Sequence, residues 1–199
     1  MSIFEKSKSY RPFVYPEFVV EEKKQRIEMH WAEDQADLSD DLRQYHTKDG
    51  LKTASFSHEH NKAILESILP LFTEMDSAVG EGYTKLLPYV GNNEARTLLM
   101  VQSAREVTHF RGYALANESF GLPESSWVSF KQYKEMQEKI DIISDGIGDL
   151  GNKLNWCKKL GAILLGEGIG LFGSFTCLLN FKRSGLLMGF NDINQWSLV

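Results

Sequence analysis

The chain is short of cysteine, proline and positive charge, and each shortage closes off a class of protein. Two cysteines in 199 residues, Cys157 and Cys177, are too few for a disulfide framework and too far apart for a zinc knuckle. That usage points to a reducing compartment, the cytoplasm, with both side chains read as small buried hydrophobes. Lysine and arginine total 22 against 27 aspartates and glutamates, a net charge of -5, so there is no basic surface to attract a phosphate backbone. Nucleic acid is therefore not an expected partner. With only 5 prolines, 42% apolar and 25% charged residues, the composition is that of an ordinary globular protein folding as one domain over residues 1–199. Residues 1–14 lack the continuous apolar stretch of a secretory signal. No segment alternates with strand period for any length, which leaves an all-α fold.

One long apolar run stands out. LGAILLGEGIGLFGSFTCLLNF, residues 160–181, is long enough to cross a bilayer, and its one charge is Glu167. A lone carboxylate inside a membrane is costly. The reading adopted is a helix buried on all sides of a soluble bundle, its carboxylate held by a metal, with no membrane partner.

Helical spacing is expected in four other places. Residues 21–45 carry Ile27, Trp31, Leu38 and Leu42 among charged positions, and a turn with Asp49 and Gly50 follows. Residues 57–80 place Leu65, Ile68, Leu71, Phe72, Met75 and Val79 on a core helix that contains Asp76. Residues 92–120 repeat the pattern, with Asn93 as the expected N-cap and Gly121 and Pro123 as the stop. Residues 125–143 read as a more polar helix with Phe130, Tyr133 and Met136 inward, and Gly146, Gly148 and Gly151 mark the loop into the apolar run.

Chemistry concentrates at Glu106-Val-Thr-His109. Side chains three apart share a helix face, so one carboxylate and one imidazole can reach the same cation. Alone the pair is weak. Asp76 in the middle of one apolar helix and Glu167 inside another strengthen it, because buried carboxylates need compensation of several kcal/mol or must become neutral. Bundles that hold two metals take a carboxylate from each of two helices and a Glu-x-x-His from each of two more, and such donors suit iron or manganese. Each residue also has a plainer reading: Asp76 as a helix-surface acid, His109 as a hydrogen-bonded core histidine, Glu167 as a neutral buried acid.

The stretch SAREVTHFRGYALANESFGLPESSWVSFKQYKEMQEKID resembles the class I ribonucleotide reductase small subunits, a ferritin-like family. So do LFTEMDSAVGEGY, EGIGLFGSFTCLLNFKRSGLLMGF and HWAEDQADLSDDL, and together the likeness runs from about residue 30 to 199. The resemblance implies a ferritin-like helical bundle with a di-iron centre (manganese in some subclasses). It assigns Asp76, Glu106, His109 and Glu167 as metal ligands and Tyr113 as the residue oxidised to a stable radical. Phe175 falls in the apolar wall around that radical, where Leu171 replaces a common aromatic. Trp31 falls on the electron path to a large catalytic subunit, and a homodimer is implied. A packed core aromatic is the plainer reading of both Tyr113 and Trp31.

The likeness breaks at one point: after Glu167 there is no second Glu-x-x-His, only Asp192. The expectation is a chain that stops before its last ligand helix and its docking tail, is inactive alone, and is completed by a C-terminal fragment. The alternatives are another ferritin-like di-iron oxidase or oxygenase, or a degenerate helical partner protein that binds no metal.

Overall fold

The computed structural model describes residues 2–144 and 147–198, and these residues form helices without a strand. Two long helices make the centre: α3, His58–Leu86, and α4, Asn93–Ser119. They follow α1, Pro16–Lys23, and α2, Ser39–His46. After them come α5, Lys134–Ser144, α6, Lys153–Leu165, α7, Phe172–Arg183, and α8, Met188–Ser197. A π-helical turn, Gly166–Gly170, joins α6 to α7. The α3/α4 contact is the most extensive in the molecule; α5 and α6 lie against α3, and α8 packs on α2, α4 and α7.

The central pair forms where apolar periodicity predicts it. Leu65, Ile68, Leu71, Phe72, Met75 and Val79 of α3 are all buried. The Ser57 hydroxyl caps α3 by accepting from the His60 amide, and the helix continues past residue 80 to Leu86. Asn92, not Asn93, caps α4: its Oδ1 accepts from the Ala95 amide at 2.9 Å. At the other end Gly121 takes φ 69°, the left-handed conformation that ends a helix cheaply only with glycine.

Three expectations change. Residues 21–45 are not one helix: α1 runs into a π-helical turn, Lys24–Glu28, and the chain is then extended at Ala32 and Ala36 before α2 begins. The break lets Trp31 leave the helical path and turn into the core. Residues 125–143 split into a 3-10 segment, Glu124–Gln132, and α5; Phe130 is buried as expected, but Tyr133 is exposed. Of the glycines expected to mark the next loop, Gly148 and Gly151 lie outside any helix and Gly146 falls outside the described residues.

The apolar run departs furthest. Lys153–Arg183 is a helix long and apolar enough to cross a membrane, yet only its inner face is covered. Trp156, Ile163, Leu171, Phe175, Leu178 and Phe181 are buried, whereas Leu164, Leu165, Phe172 and Ile169, the last 72% exposed, face outward. Cys157 and Cys177 lie on that outward face as free, exposed thiols, so neither is a buried hydrophobe. One helix presents its whole circumference to its neighbours, and here they pack on one side only.

The last helix is anchored by polar groups from far earlier in the chain. The Asp41 carboxylate accepts from the Phe190 amide at 2.5 Å, and Gln44 Oε1 accepts from the Leu187 amide at 2.8 Å. A carboxylate at a helix N-terminus satisfies its free amides and its dipole. This fixes α8, which carries Trp196 and Ser197 towards the centre of the bundle.

Candidate metal centre

Asp76 enters from the middle of α3, and Glu106 and His109 enter from the facing side of α4. All three are buried, and one donor atom from each lies within 4.8 Å of the others. The i, i+3 spacing on α4 brings His109 Nδ1 within 3.2 Å of Glu106 Oε2. When Nδ1 donates to that carboxylate, Nε2 is left with the lone pair. Glu167 projects from the π-helical turn into the same cavity, about 260 Å³, which Asp76, His109, Tyr113 and Phe175 also line. It stands outside the tight triad of Asp76, Glu106 and His109.

The electrostatics are those of acids crowded in a buried site, with the Arg105 charge reaching Glu106. Burial first, then the charges of Glu106 and Glu167, push the Asp76 carboxyl well above the usual range. Glu167 is half-buried as a residue, but its Oε1 is sealed from solvent. Burial, followed by the Glu106 charge, pushes it up to about 8. Asp76 Oδ2, His109 Nε2, Glu167 Oε1 and the Tyr113 hydroxyl are all buried without a hydrogen-bond partner. Unsatisfied buried polar atoms are costly, and four meeting at one cavity mark a place built to coordinate something. Carboxylate oxygens with one imidazole nitrogen fit iron or manganese, and a divalent cation would satisfy these atoms and offset the repulsion.

Tyr113 sits one turn beyond His109, 1% exposed. Its ring stacks on Phe72 at 4.8 Å and 14° and meets Phe190 edge-on at 6.2 Å, while Phe175 packs on the other part of Phe72 at 4.7 Å. Burial and then the Asp76 charge hold the phenol well above its ordinary value, so it keeps its proton. Leu171 is buried but does not line the cavity, and the exposed Phe172 does. Trp31 stacks on the imidazole, its ring 6.1 Å from that of His109 and nearly parallel to it, at 16°.

The structure thus brings Asp76, His109, Glu167 and Tyr113 to one cavity, with Glu106 beside Asp76 and His109 in the triad and Trp31 stacked on the imidazole. Sequence reasoning missed several residues that shape the place. Phe72 was legible only as a core position. Gly112 makes the Trp31 contact possible: a Cβ there would come within 2.8 Å of the Trp31 ring and 3.0 Å of Ile193. A glycine inside an otherwise good helix, between two site residues, is the signal that could have revealed a close approach. Ser197 lines the cavity from α8, and Trp196 touches Trp31; nothing in their local sequence points to either role.

Comparison with known proteins gives a consistent result. The profile of the family described as ribonucleotide reductase, small chain, matches residues 7–199. A probable ribonucleoside-diphosphate reductase small subunit, 048L, of Invertebrate iridescent virus 3 is 29% identical over 96% of this chain and 53% of its own length. Its counterpart 376L of Invertebrate iridescent virus 6 is 29% identical over 100% of this chain and 57% of its own. The chain therefore spans about half the length of these curated relatives. Among solved structures, the ribonucleotide reductase R2 subunit of Clostridium botulinum superposes with a TM-score of 0.75 at 17% identity, over 90% of this chain and 56% of that one. The dimanganese(II)-NrdF of Streptococcus sanguinis gives 0.76 at 16% identity, over 97% and 65%. At such identities these likenesses speak for the ferritin-like helical fold.

Proposed function

Because this chain belongs to the ribonucleotide reductase small-chain family, we propose that it serves as the radical-generating part of a ribonucleoside-diphosphate reductase, with Asp76, Glu106, His109 and Glu167 as metal ligands and Tyr113 as the radical site. The observation that carries this reading is the meeting of four partnerless buried polar atoms, three on proposed ligands and one on the phenol, at a single cavity. Iron, manganese or both would supply there the one-electron oxidation of the phenol. The chain's own residues do the rest.

Three of the four proposed ligands, Asp76, Glu106 and His109, stand on two packed helices, where little ordering remains to be done on binding. Phe72, Phe175 and Phe190 exclude water from the Tyr113 ring, which protects an oxidised phenol from reductants in solution. The Asp76 carboxyl lines the same cavity as the Tyr113 hydroxyl, and its charge is the one that weighs most on the phenol. Trp31, stacked on His109, is the first aromatic on the way from the centre to a large catalytic subunit, where ribonucleotides are reduced to deoxyribonucleotides. The proposed setting is cytoplasmic and homodimeric. The bundle holds one Glu-x-x-His where a two-metal site takes two, and a complementary segment bearing the second would complete it and cover the apolar face of α6 and α7.

The test is metal content. After equilibration with ferrous iron or manganous ion under argon, the chain is expected to retain metal, and Glu106→Ala and His109→Ala to lose it. On admission of oxygen, the chain alone is expected to give no stable tyrosyl signal by electron paramagnetic resonance. Metal retained in both variants would overturn the ligand assignment.

A further inference from the structure

Gly80 stands one helical turn beyond Asp76, on the same face of α3, at the point where that helix meets Glu106 of α4. Its backbone is ordinary α-helix without a positive φ, so the conformation does not call for glycine. Glycine inside a helix costs stability relative to alanine, and the room it leaves has to offset that cost. A Cβ at position 80 would lie 3.2 Å from Glu106 Cβ, 3.7 Å from Glu106 Cγ and 3.6 Å from the Ser103 carbonyl oxygen. Glu106 Cβ is bonded to the α4 backbone and is no flexible chain end, so it yields only if α4 moves. The same spot is tied across the two helices. The Ser103 hydroxyl, one turn before Glu106, donates to the Gly80 carbonyl oxygen at 2.9 Å, and the Thr84 hydroxyl donates to that oxygen at 3.0 Å. A hydrogen bond thus draws α3 and α4 together where glycine lets them close.

Helix separation matters here because coordination is exacting. Two carboxylate oxygens on one cation stand no more than about 4.2 Å apart, twice a metal–oxygen bond of about 2.1 Å, and such bonds tolerate only about 0.2 Å of error. Asp76, Glu106 and His109 already offer donor atoms within 4.8 Å of one another. We infer, on the ligand assignment proposed above, that Gly80 is a positioning residue of the metal centre: with the Ser103 hydroxyl it sets the separation of α3 and α4 where Asp76 and Glu106 meet, and so the bite that these carboxylates offer a divalent cation. Gly80 supplies no donor of its own and acts through Glu106. An added Cβ at position 80 pushes α4 outward by roughly a few tenths of an ångström and widens the bite. Loss of the Ser103 hydroxyl leaves it loose. Neither change removes a ligand.

Manganous ion is the probe, titrated into the chain under argon, with the unbound ion read from its electron paramagnetic resonance signal. Gly80→Ala is expected to weaken binding about tenfold, the size of effect that displaced support of a metal ligand produces, while its metal-free chain melts within about 4 °C of the native one. Gly161→Ala makes the same exchange in α6, where an added Cβ meets nothing within 4 Å, and is expected to bind as the native chain does. Ser103→Ala is expected to weaken binding roughly fivefold, and Ser103→Thr, which keeps the hydroxyl, to restore it. Native affinity in Gly80→Ala, or Ser103→Thr binding no better than Ser103→Ala, would overturn the positioning role. The contact is also read without metal, by a double-mutant cycle on thermal unfolding that pairs Gly80→Ala with Glu106→Gly, which removes the Cβ that the new methyl meets. Non-additive shifts in melting temperature are expected, and additive ones would overturn the role as well. A native chain that binds no manganese defeats the ligand assignment itself, an outcome distinct from a native chain that binds and a Gly80→Ala chain that binds equally.

Discussion

The two sides of the candidate metal centre are built on different principles. On one side α3 and α4 bury each other along their length, and Asp76, Glu106 and His109 project from regular α-helix between fully buried neighbours such as Phe72 and Met75. On the other side Glu167 stands in a π-helical turn flanked by Gly166, Gly168 and Gly170, on a helix whose outer face is open at Leu164, Leu165 and Ile169. Packing fixes the first side before any ligand arrives. The second is held by one face and carries a backbone with an extra residue per turn, a feature found often at functional sites. The contrast divides the proposed ligands into a triad fixed by packing and a fourth acid on a backbone held by one face.

The largest test of that contrast is mechanical. Phe72→Ala removes a wholly buried ring that supports Tyr113, and should cost about 3–5 kcal/mol of stability in chemical denaturation. A cost near zero would mean that the first side is not rigid.

The next test uses pH. Glu167 is pushed from its ordinary value near 4.5 up to about 8 in the folded chain, so the fold binds a proton that the unfolded chain releases. Stability of the metal-free chain from this group is therefore fully present below the unfolded value and falls as pH rises from about 4.5 to about 8, by an order of a few kcal/mol. The raised Asp76 carboxyl acts in the same direction. Glu167→Gln should flatten much of that decline in thermal melts run across the window, and a divalent cation should reverse it. A stability that rises with pH through this range would contradict the crowding of acids described above.

The smallest expected effect sharpens the other side. Leu165→Gln alters an exposed position on the second side and should change the stability of the isolated chain by no more than about 0.5 kcal/mol. A large loss would show that the outer face is covered when the chain is alone.

Much of this was legible in the sequence, for reasons that differ by residue. The Glu106/His109 pair needed only helical geometry, since i and i+3 share a face wherever the helix lies. Asp76 was legible because it interrupts a strongly apolar period, and Tyr113 through a resemblance that the fold now supports. The helix over 21–45 was not legible as a broken one, because a few apolar residues spaced among charges fit a helix and a folded-back segment equally well. The outward face of α6 and α7 was misread for a related reason: hydropathy measures what a side chain prefers, and not which neighbours are there to meet it.

By itself the sequence determined that the chain is helical, that α3 and α4 carry buried faces, and that a carboxylate, an imidazole and a phenol share one edge of α4. Those properties follow from local spacing. Only the tertiary structure decided that Glu167 reaches the cavity through a π-helical turn, that Trp31 stacks on His109 in the space left by Gly112, and that Trp196 joins them from the last helix. Each of those contacts unites residues far apart in the chain, and such a contact is set by how whole helices pack, which no local pattern encodes.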